Sequence, residues 1–264
     1  MPFKIALLTL IFLLLLFACG SKSSDPMPSL TARDTVFVKT NGFFIAHYTY
    51  TDLQNNADFG SFSFEGVVQD AALDEISGIA ASRTNPDKLW VEEDSKNENK
   101  IYLLDRHGLT LGSFALKNAF NIDWEDMAIG GGIKENQSYI YLGDVGNNYS
   151  LFPIRSIYRI PEPVLSGKTI PVNETISAFD KLDFKYPDGI KDCETLLIDP
   201  LTKDLYLVSK EENQAVVYWF PFPQEASKFT VLGKIGVLPL GQICAGDISS
   251  DGKEILLKDY GTVY

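Results

Sequence analysis

The sequence predicts an all-β fold built from repeated small sheets, and two observations carry that prediction. First, an acidic residue, a spacer and a second polar residue recur directly before an apolar run. The copies are Asp123-Trp124-Glu125 before Asp126–Ile129, Asp192-Cys193-Glu194 before Thr195–Ile198, and Glu75-Ile76-Ser77 before Gly78–Ala81. Second, each copy leads through a turn into another strand-like run that ends on a charged residue. These runs are Leu89–Val91 to Asp94, Ile140–Leu142 to Asp144, Leu205–Leu207 to Lys210 and, in a fourth unit, Ile255–Leu257 to Asp259. The unit starts Glu75, Asp123, Asp192 and Cys244 are 48, 69 and 52 residues apart. Sheets repeated at this period cannot bury both faces alone, so they stack on their neighbours around an axis, which is the logic of a β-propeller. A β-sandwich is the alternative architecture.

Taken in order, residues 1–18 form a secretory signal peptide. Lys4 precedes an apolar run, Ile5 to Ala18, too short to span a bilayer. Leu16-Phe17-Ala18-Cys19-Gly20 resembles the bacterial lipoprotein cleavage box, which makes Cys19 the lipidated first residue of the mature chain. Residues 19–32, rich in Ser and Pro, read as a flexible tether, and residues 33–264 as the propeller domain. Within 33–70 three short apolar alternations appear, around Thr35–Val38, Phe43–Tyr50 and Ser61–Val67, with Asn41-Gly42 as a hairpin turn between the first two. From Glu75 onward the units are regular. Lys100–Leu104, Ser156–Ile160 and Val216–Phe220 are their third strands, and Gly130–Gly132 is a turn. The Pro-rich excursion Pro161–Pro187 is an inserted loop or an extra hairpin. Tyr264 falls inside the third strand of the fourth unit. The expectation is therefore an incomplete propeller of about three full blades plus partial ones. Closure of a four-bladed ring by the N-terminal strands is the alternative.

Composition narrows the partners. Removing residues 1–18 leaves 22 basic against 35 acidic residues, a net charge of −13. Such a chain repels phosphate backbones, so nucleic acid is not an expected partner. The expected contacts are the membrane, through the lipid anchor, and a small-molecule or protein ligand at the propeller face. This places the protein in the bacterial cell envelope, as an outer-membrane lipoprotein facing the periplasm or the surface. With only His47 and His107, far apart in sequence, neither a His-based triad nor a zinc site is expected.

In a propeller the innermost strands line the central channel, so Glu75, Ser77, Asp123, Glu125, Asp192 and Glu194 converge near the axis. Regular alternation puts residues two apart on one side, giving three pairs of oxygens. Crowded carboxylates repel one another unless a cation sits among them, and hard oxygen ligands select calcium or magnesium. The competing reading is that these groups bond neighbouring backbone and hold the blades in register. Trp124, Asp144 and Asn147 are the candidate substrate-binding residues; the favoured competing reading is a structured turn for Asp144 and Asn147, and blade packing for Trp124. Cys193 and Cys244 begin adjacent innermost strands, and a disulfide between them is left open.

Leu73–Ala80, Asp123–Ala128 and Tyr139–Asn148 resemble a broad group of secreted bacterial propellers, the esterase-like and phytase-like propellers and their gluconolactonase-type and NHL-type relatives. The resemblance runs from about Leu73 to Tyr264. A fainter similarity is to calcium-activated nucleotidase propellers. There, serines and glutamates at innermost-strand starts coordinate a central calcium, and Ser77, Glu125 and Glu194 are the matching positions. The fourth unit departs from that pattern, because Ala245-Gly246-Asp247 has no carboxylate at the Glu position unless Asp247 substitutes. The broken ligand ring and the lack of a clear general base favour a binding or scaffold module, with a divalent-cation site in its channel as a further expectation. The alternative is a calcium-dependent hydrolase of phosphoesterase, nucleotidase or lactonase type.

The anchor yields the first prediction. Cys19→Ala should move the protein from the membrane pellet to the soluble envelope fraction, since stable anchoring needs more than one acyl chain and Cys19 supplies the attachment. Unchanged fractionation would refute a lipid anchor at this position.

Overall fold

A computed structural model describes residues 34–49, 52–54 and 63–264. The signal peptide, the tether and Cys19 lie outside the described residues. Among the described residues there are eighteen strands, and no helix is long and apolar enough to cross a membrane.

Three four-stranded antiparallel blades follow the repeats. Blade I is β3 (Ile76–Ala81), β4 (Lys88–Glu93), β5 (Lys100–Asp105) and β6 (Thr110–Leu116). Blade II is β7 (Trp124–Gly131), β8 (Ser138–Asp144), β9 (Arg155–Pro161) and β11 (Asp180–Lys185). Blade III is β12 (Cys193–Ile198), β13 (Leu205–Ser209), β14 (Ala215–Phe220) and β16 (Gly233–Leu238). A hairpin, β17 (Ala245–Ile248) and β18 (Ile255–Lys258), begins a fourth blade. The innermost strands β3, β7, β12 and β17 pack side by side in that order. Among the described residues the row does not close into a ring.

Strand alternation shows why the blades must stack. On β7, Met127 and Ile129 enter a core shared with Trp90, Ile101, Leu103 and Phe114 of blade I. Ala128, between them, enters a core shared with Leu196, Ile198, Leu207 and Tyr218 of blade III. Leu197 in turn points away from blade II toward Ile248 and Leu257 of the fourth blade. Successive side chains thus feed successive interfaces, and each blade has two apolar faces that only neighbours can cover. Gly130 belongs to this packing. It is paired in β7, not in a turn, and a Cβ there would lie 2.5 Å from Ile198 Cδ1.

The outermost strands differ from the sequence expectation. β1 (Thr35–Phe37) pairs in parallel with β15 (Phe229–Val231), at the edge of the blade II sheet. β2 (Phe44–Ile45) pairs in parallel with β16 of blade III. Asn41-Gly42 therefore connects two blades and closes no hairpin, and the N-terminal strands do not complete unit four. Residues 63–67 form no strand; Ser61 and Phe62 lie outside the described residues. Leu73 and Val68 instead cover Val91 and Leu104 on the outer flank of blade I. The Pro161–Pro187 excursion is neither a loop nor a hairpin. It sends β10 (Val172–Ile176) onto β6 of blade I, in parallel, and returns as β11 of blade II.

A buried carboxylate locks that excursion in place. Glu162, just past β9, accepts hydrogen bonds from Ser82 Oγ (2.5 Å), Thr84 Oγ1 (2.7 Å), Trp90 Nε1 (3.0 Å) and the Arg83 amide (3.1 Å). Burial alone would raise its pKa, but the donors outweigh burial and hold it below the usual value. Bonds to an ionised acceptor are worth about 1.5–3 kcal/mol, and removing the acceptor orphans its donors. Glu162→Ala should therefore cost roughly 2–4 kcal/mol in urea unfolding. Glu174→Ala, which removes an exposed pair with Lys168, should change stability by less than about 1 kcal/mol. Equal effects would refute the lock.

Candidate functional site

Each of the three complete innermost strands carries a β-bulge where the sequence repeats its polar residue. Register shifts between Ile76 and Ile79 in β3, between Trp124 and Asp126 in β7, and between Cys193 and Thr195 in β12. Glu125 and Glu194 are the extra, unpaired residues, and Ser77 lies within the β3 bulge. The regular alternation expected there is broken, because a bulge re-aims the side chain it inserts. Ser77 uses its freedom to donate from Oγ to the Glu125 carbonyl, 2.8 Å away, and so ties blade I to blade II.

Glu125 turns toward two other carboxylates. Oxygens of Asp94, Asp123 and Glu125 all lie within 4.8 Å of one another. Asp94 follows β4, Asp123 precedes β7, and Glu125 sits on the bulge. Glu125 is only 5% exposed, and its Oε1 has no hydrogen-bond partner. Burial, and then repulsion from Glu194, Asp94, Asp123 and Asp192, pushes its pKa up to about 9. Asp123 is also raised, chiefly by burial. Its Oδ2 accepts the Asn148 amide, and Ser95 donates its amide to Asp94. Gly146 makes room for the group: a Cβ there would lie 2.1 Å from Glu125 Oε1 and 2.8 Å from Asp123 Oδ2. Nearby Glu92, buried and held by the Gly78 amide at 2.6 Å, is pushed by burial to about 8.

The other predicted ligands lie outside this group of three. Glu194 pairs with Lys210, and Glu75 is exposed and accepts from Asn97 Nδ2 at 2.9 Å. Asp192 accepts the Asn147 amide at 2.7 Å. Asp247 is exposed on β17 and accepts the amide of Ile248, as Asp126 accepts that of Met127. It therefore matches Asp126 and does not stand in for a bulge glutamate. Of the six expected ligands, only Asp123 and Glu125 come together, joined by Asp94.

The residues proposed for substrate contact have structural partners. Trp124 is wholly buried, donates from Nε1 to the Phe120 carbonyl and packs edge-on against Tyr158, with no face free for stacking. Asp144 is buried against Arg155 at 2.7 Å. Asn147 caps the loop after β8, accepting the Leu151 and Phe152 amides and donating to the Phe152 carbonyl. Cys193 and Cys244 are both free thiols.

The cluster borders a cavity of 550 Å³, whose wall includes the expected residues Glu75, Asp123 and Asn147 together with Asp94, Ser95, Ile122, Tyr149 and Phe152. Its aromatic side was missed in the sequence, as was Asp94. A signal for Asp94 existed: antiparallel pairing brings the end of the second strand beside the acidic start of the first. Tyr149 and Phe152 have none, because only the Asn147 cap fixes where they lie.

No protein-family model matches the chain, and no curated protein matches it. Among solved structures, it is similar to the Cps50 (Swd1) β-propeller domain of Myceliophteria thermophila, with TM-score 0.40 and 8% identity over 72% of this chain and 53% of that one. It is also similar to the Dos1 propeller, with TM-score 0.30 and 13% identity over 69% of this chain and 52% of that one. The chain spans about half the length of these propellers. The assignment as a β-propeller rests on the stacked sheets and their alternating cores.

Proposed function

We propose that this chain is an extracytoplasmic β-propeller binding module, anchored through Cys19, whose channel holds calcium between Asp94, Asp123 and Glu125. The observation that carries the reading is the buried, unpartnered Glu125 Oε1 facing two more carboxylates. A carboxyl so placed takes up either a proton or a cation, and an all-oxygen donor set suits a hard divalent ion. The adjoining cavity supports a second reading, a calcium-dependent hydrolase in which the ion polarises a bound substrate. Calcium-stimulated turnover of p-nitrophenyl phosphate, lost in Glu125→Gln, would favour that second reading.

Calcium binding only the native state at a hundredfold excess over Kd would add about 2.7 kcal/mol. For a domain of this size that is a rise in Tm of roughly 5–10 °C. Glu125→Gln should fold, because it keeps the shape, and should lose most of that rise. A calcium-independent Tm in the parent protein would refute the site.

The pH dependence follows from the raised acids. The folded state keeps protons on Glu125 and Glu92 that the unfolded chain sheds above the usual glutamate pKa. Their contribution is complete below that value and is lost as pH rises through about 8 and then about 9. Without calcium, stability should therefore decline from pH about 5 to about 9. The calcium-induced rise in Tm should grow over the same window, since the ion displaces a proton. Melting curves across that range, with calcium and with chelator, test both signs. A calcium effect that shrinks as pH rises would contradict this assignment.

A further inference from the structure

The cavity beside the acidic cluster is lined by carboxylates and by large apolar groups. Asp94 and Asp123 stand in its wall, so the cluster opens into it. Ile122, Tyr149 and Phe152 also line it, and they are 43%, 80% and 43% exposed. Large apolar groups left this open around one mouth mark a place where something docks.

The aromatic side is held in position. Asn147, itself 3% exposed, fixes both ends of the loop through the Leu151 and Phe152 amides and the Phe152 carbonyl. Asp192 of blade III fixes the Asn147 amide in turn. Beneath the loop, the Phe152 ring lies 5.7 Å from the buried Arg155 guanidinium. Tyr149 is presented on a braced loop with its ring free, an arrangement that lowers the ordering cost of binding.

We propose that this cavity binds an uncharged polyhydroxylated ligand, a saccharide, with its hydroxyls on the channel cation and its apolar face on Tyr149. The inference rests on the calcium reading given above. Three carboxylates offering one oxygen each leave positions open on an ion that takes six to eight. Asp94 and Asp123 line the cavity, so vicinal hydroxyls held there can fill those positions. Glu75, Asp94 and Ser95 in the wall accept the remaining hydroxyl protons. The charge balance selects a neutral ligand. With the ion's two charges counted, the cation and Lys96 offset three of the four carboxylates at Glu75, Asp94, Asp123 and Glu125, so the lining is close to neutral and gives a charged ligand little advantage. An organic cation would need the carboxylates that the metal occupies. A cavity of 550 Å³ lies within the usual range for small-ligand sites and has room for one or two sugar rings.

The test is saturation-transfer NMR on the soluble domain in calcium, with glucose, galactose, mannose and N-acetylglucosamine as probes and glucuronate and choline as charged controls. At least one neutral sugar should receive saturation on its ring C–H protons, and chelator should abolish the transfer. Tyr149→Ala removes an exposed ring, so it should fold normally and bind that sugar roughly tenfold more weakly. Its calcium-induced rise in Tm should be unchanged. Silence from all four sugars while calcium still raises Tm overturns the saccharide site and leaves the cation site standing. Transfer that survives chelator, or is equal in Tyr149→Ala, overturns it as well. So does transfer confined to glucuronate or choline. If calcium does not raise Tm at all, both readings fall.

Discussion

The Asp126 carboxylate, buried at the interface of blades II and III, accepts the amide of Leu196 from the neighbouring innermost strand at 2.8 Å and the amide of Met127 from its own. Burial holds its pKa well above the ordinary value. Inner strands of adjacent blades are not hydrogen-bonded as a sheet, so a side chain must bridge them. On the other side of blade II, Ser77 does the same for the Glu125 carbonyl. Both contacts are made at bulges, where the ladder is already broken and a backbone group is free to be reached. The apolar cores fill the space between blades, but these polar contacts set the height at which one blade sits on the next. Direction is what a carboxylate or hydroxyl adds to a non-directional hydrophobic contact.

The same bulges create the electrostatic problem at the channel. Inserting Glu125 next to Asp126 turns one carboxyl into the blade interface and the other toward Asp94 and Asp123. The interface carboxyl is satisfied by two amides; the channel carboxyl has an oxygen that meets none. Leaving an ionised carboxylate in that setting costs far more than any nearby dipole repays, so protonation or a cation must resolve it. Gly146 shows that the crowding is built in, because its missing Cβ is the space the two channel carboxylates occupy.

The blades were legible because burial between neighbours forces alternation, and alternation is written into Met127–Ile129, Tyr139–Leu142 and Leu196–Ile198. The acidic starts were legible as repeats, and Ser77, Glu125 and Glu194 do occupy equivalent places. What they do there was not legible, since a bulge leaves no mark in composition and reverses the side to which a residue points. The outer strands were hidden for another reason. β1, β2 and β10 are short and add in parallel to blades remote in sequence, so neither turn chemistry nor spacing announces them. Asn41-Gly42 has the residues of a hairpin turn, yet pairing on two different blades overrides that local preference. Glu162 was invisible likewise: its five contacts reach residues 72 to 80 positions away.

One substitution between units explains why the channel carries three carboxylates together and not a full ring. A residue one or two positions past each second strand donates its amide to the carbonyl of the acidic start: Asp94 to Glu75, Gly146 to Asp123, Lys210 to Asp192. The three positions are therefore equivalent, but their side chains are an acid, nothing and a base. Lys210 neutralises the bulge glutamate of its own unit, Glu194, and lies over the Tyr260 ring. Gly146 opens the space that Glu125 needs, and Asp94 adds a further negative charge from the blade before. Charge along the row of inner strands thus runs from acidic at blades I and II to balanced at blade III. A cation entering the channel meets its strongest field at the blade I–II side, beside the cavity walled by Tyr149 and Phe152. Exchanging the side chains at 94 and 210 would move that field to the other side of blade II, which locates the site's position in one residue per unit.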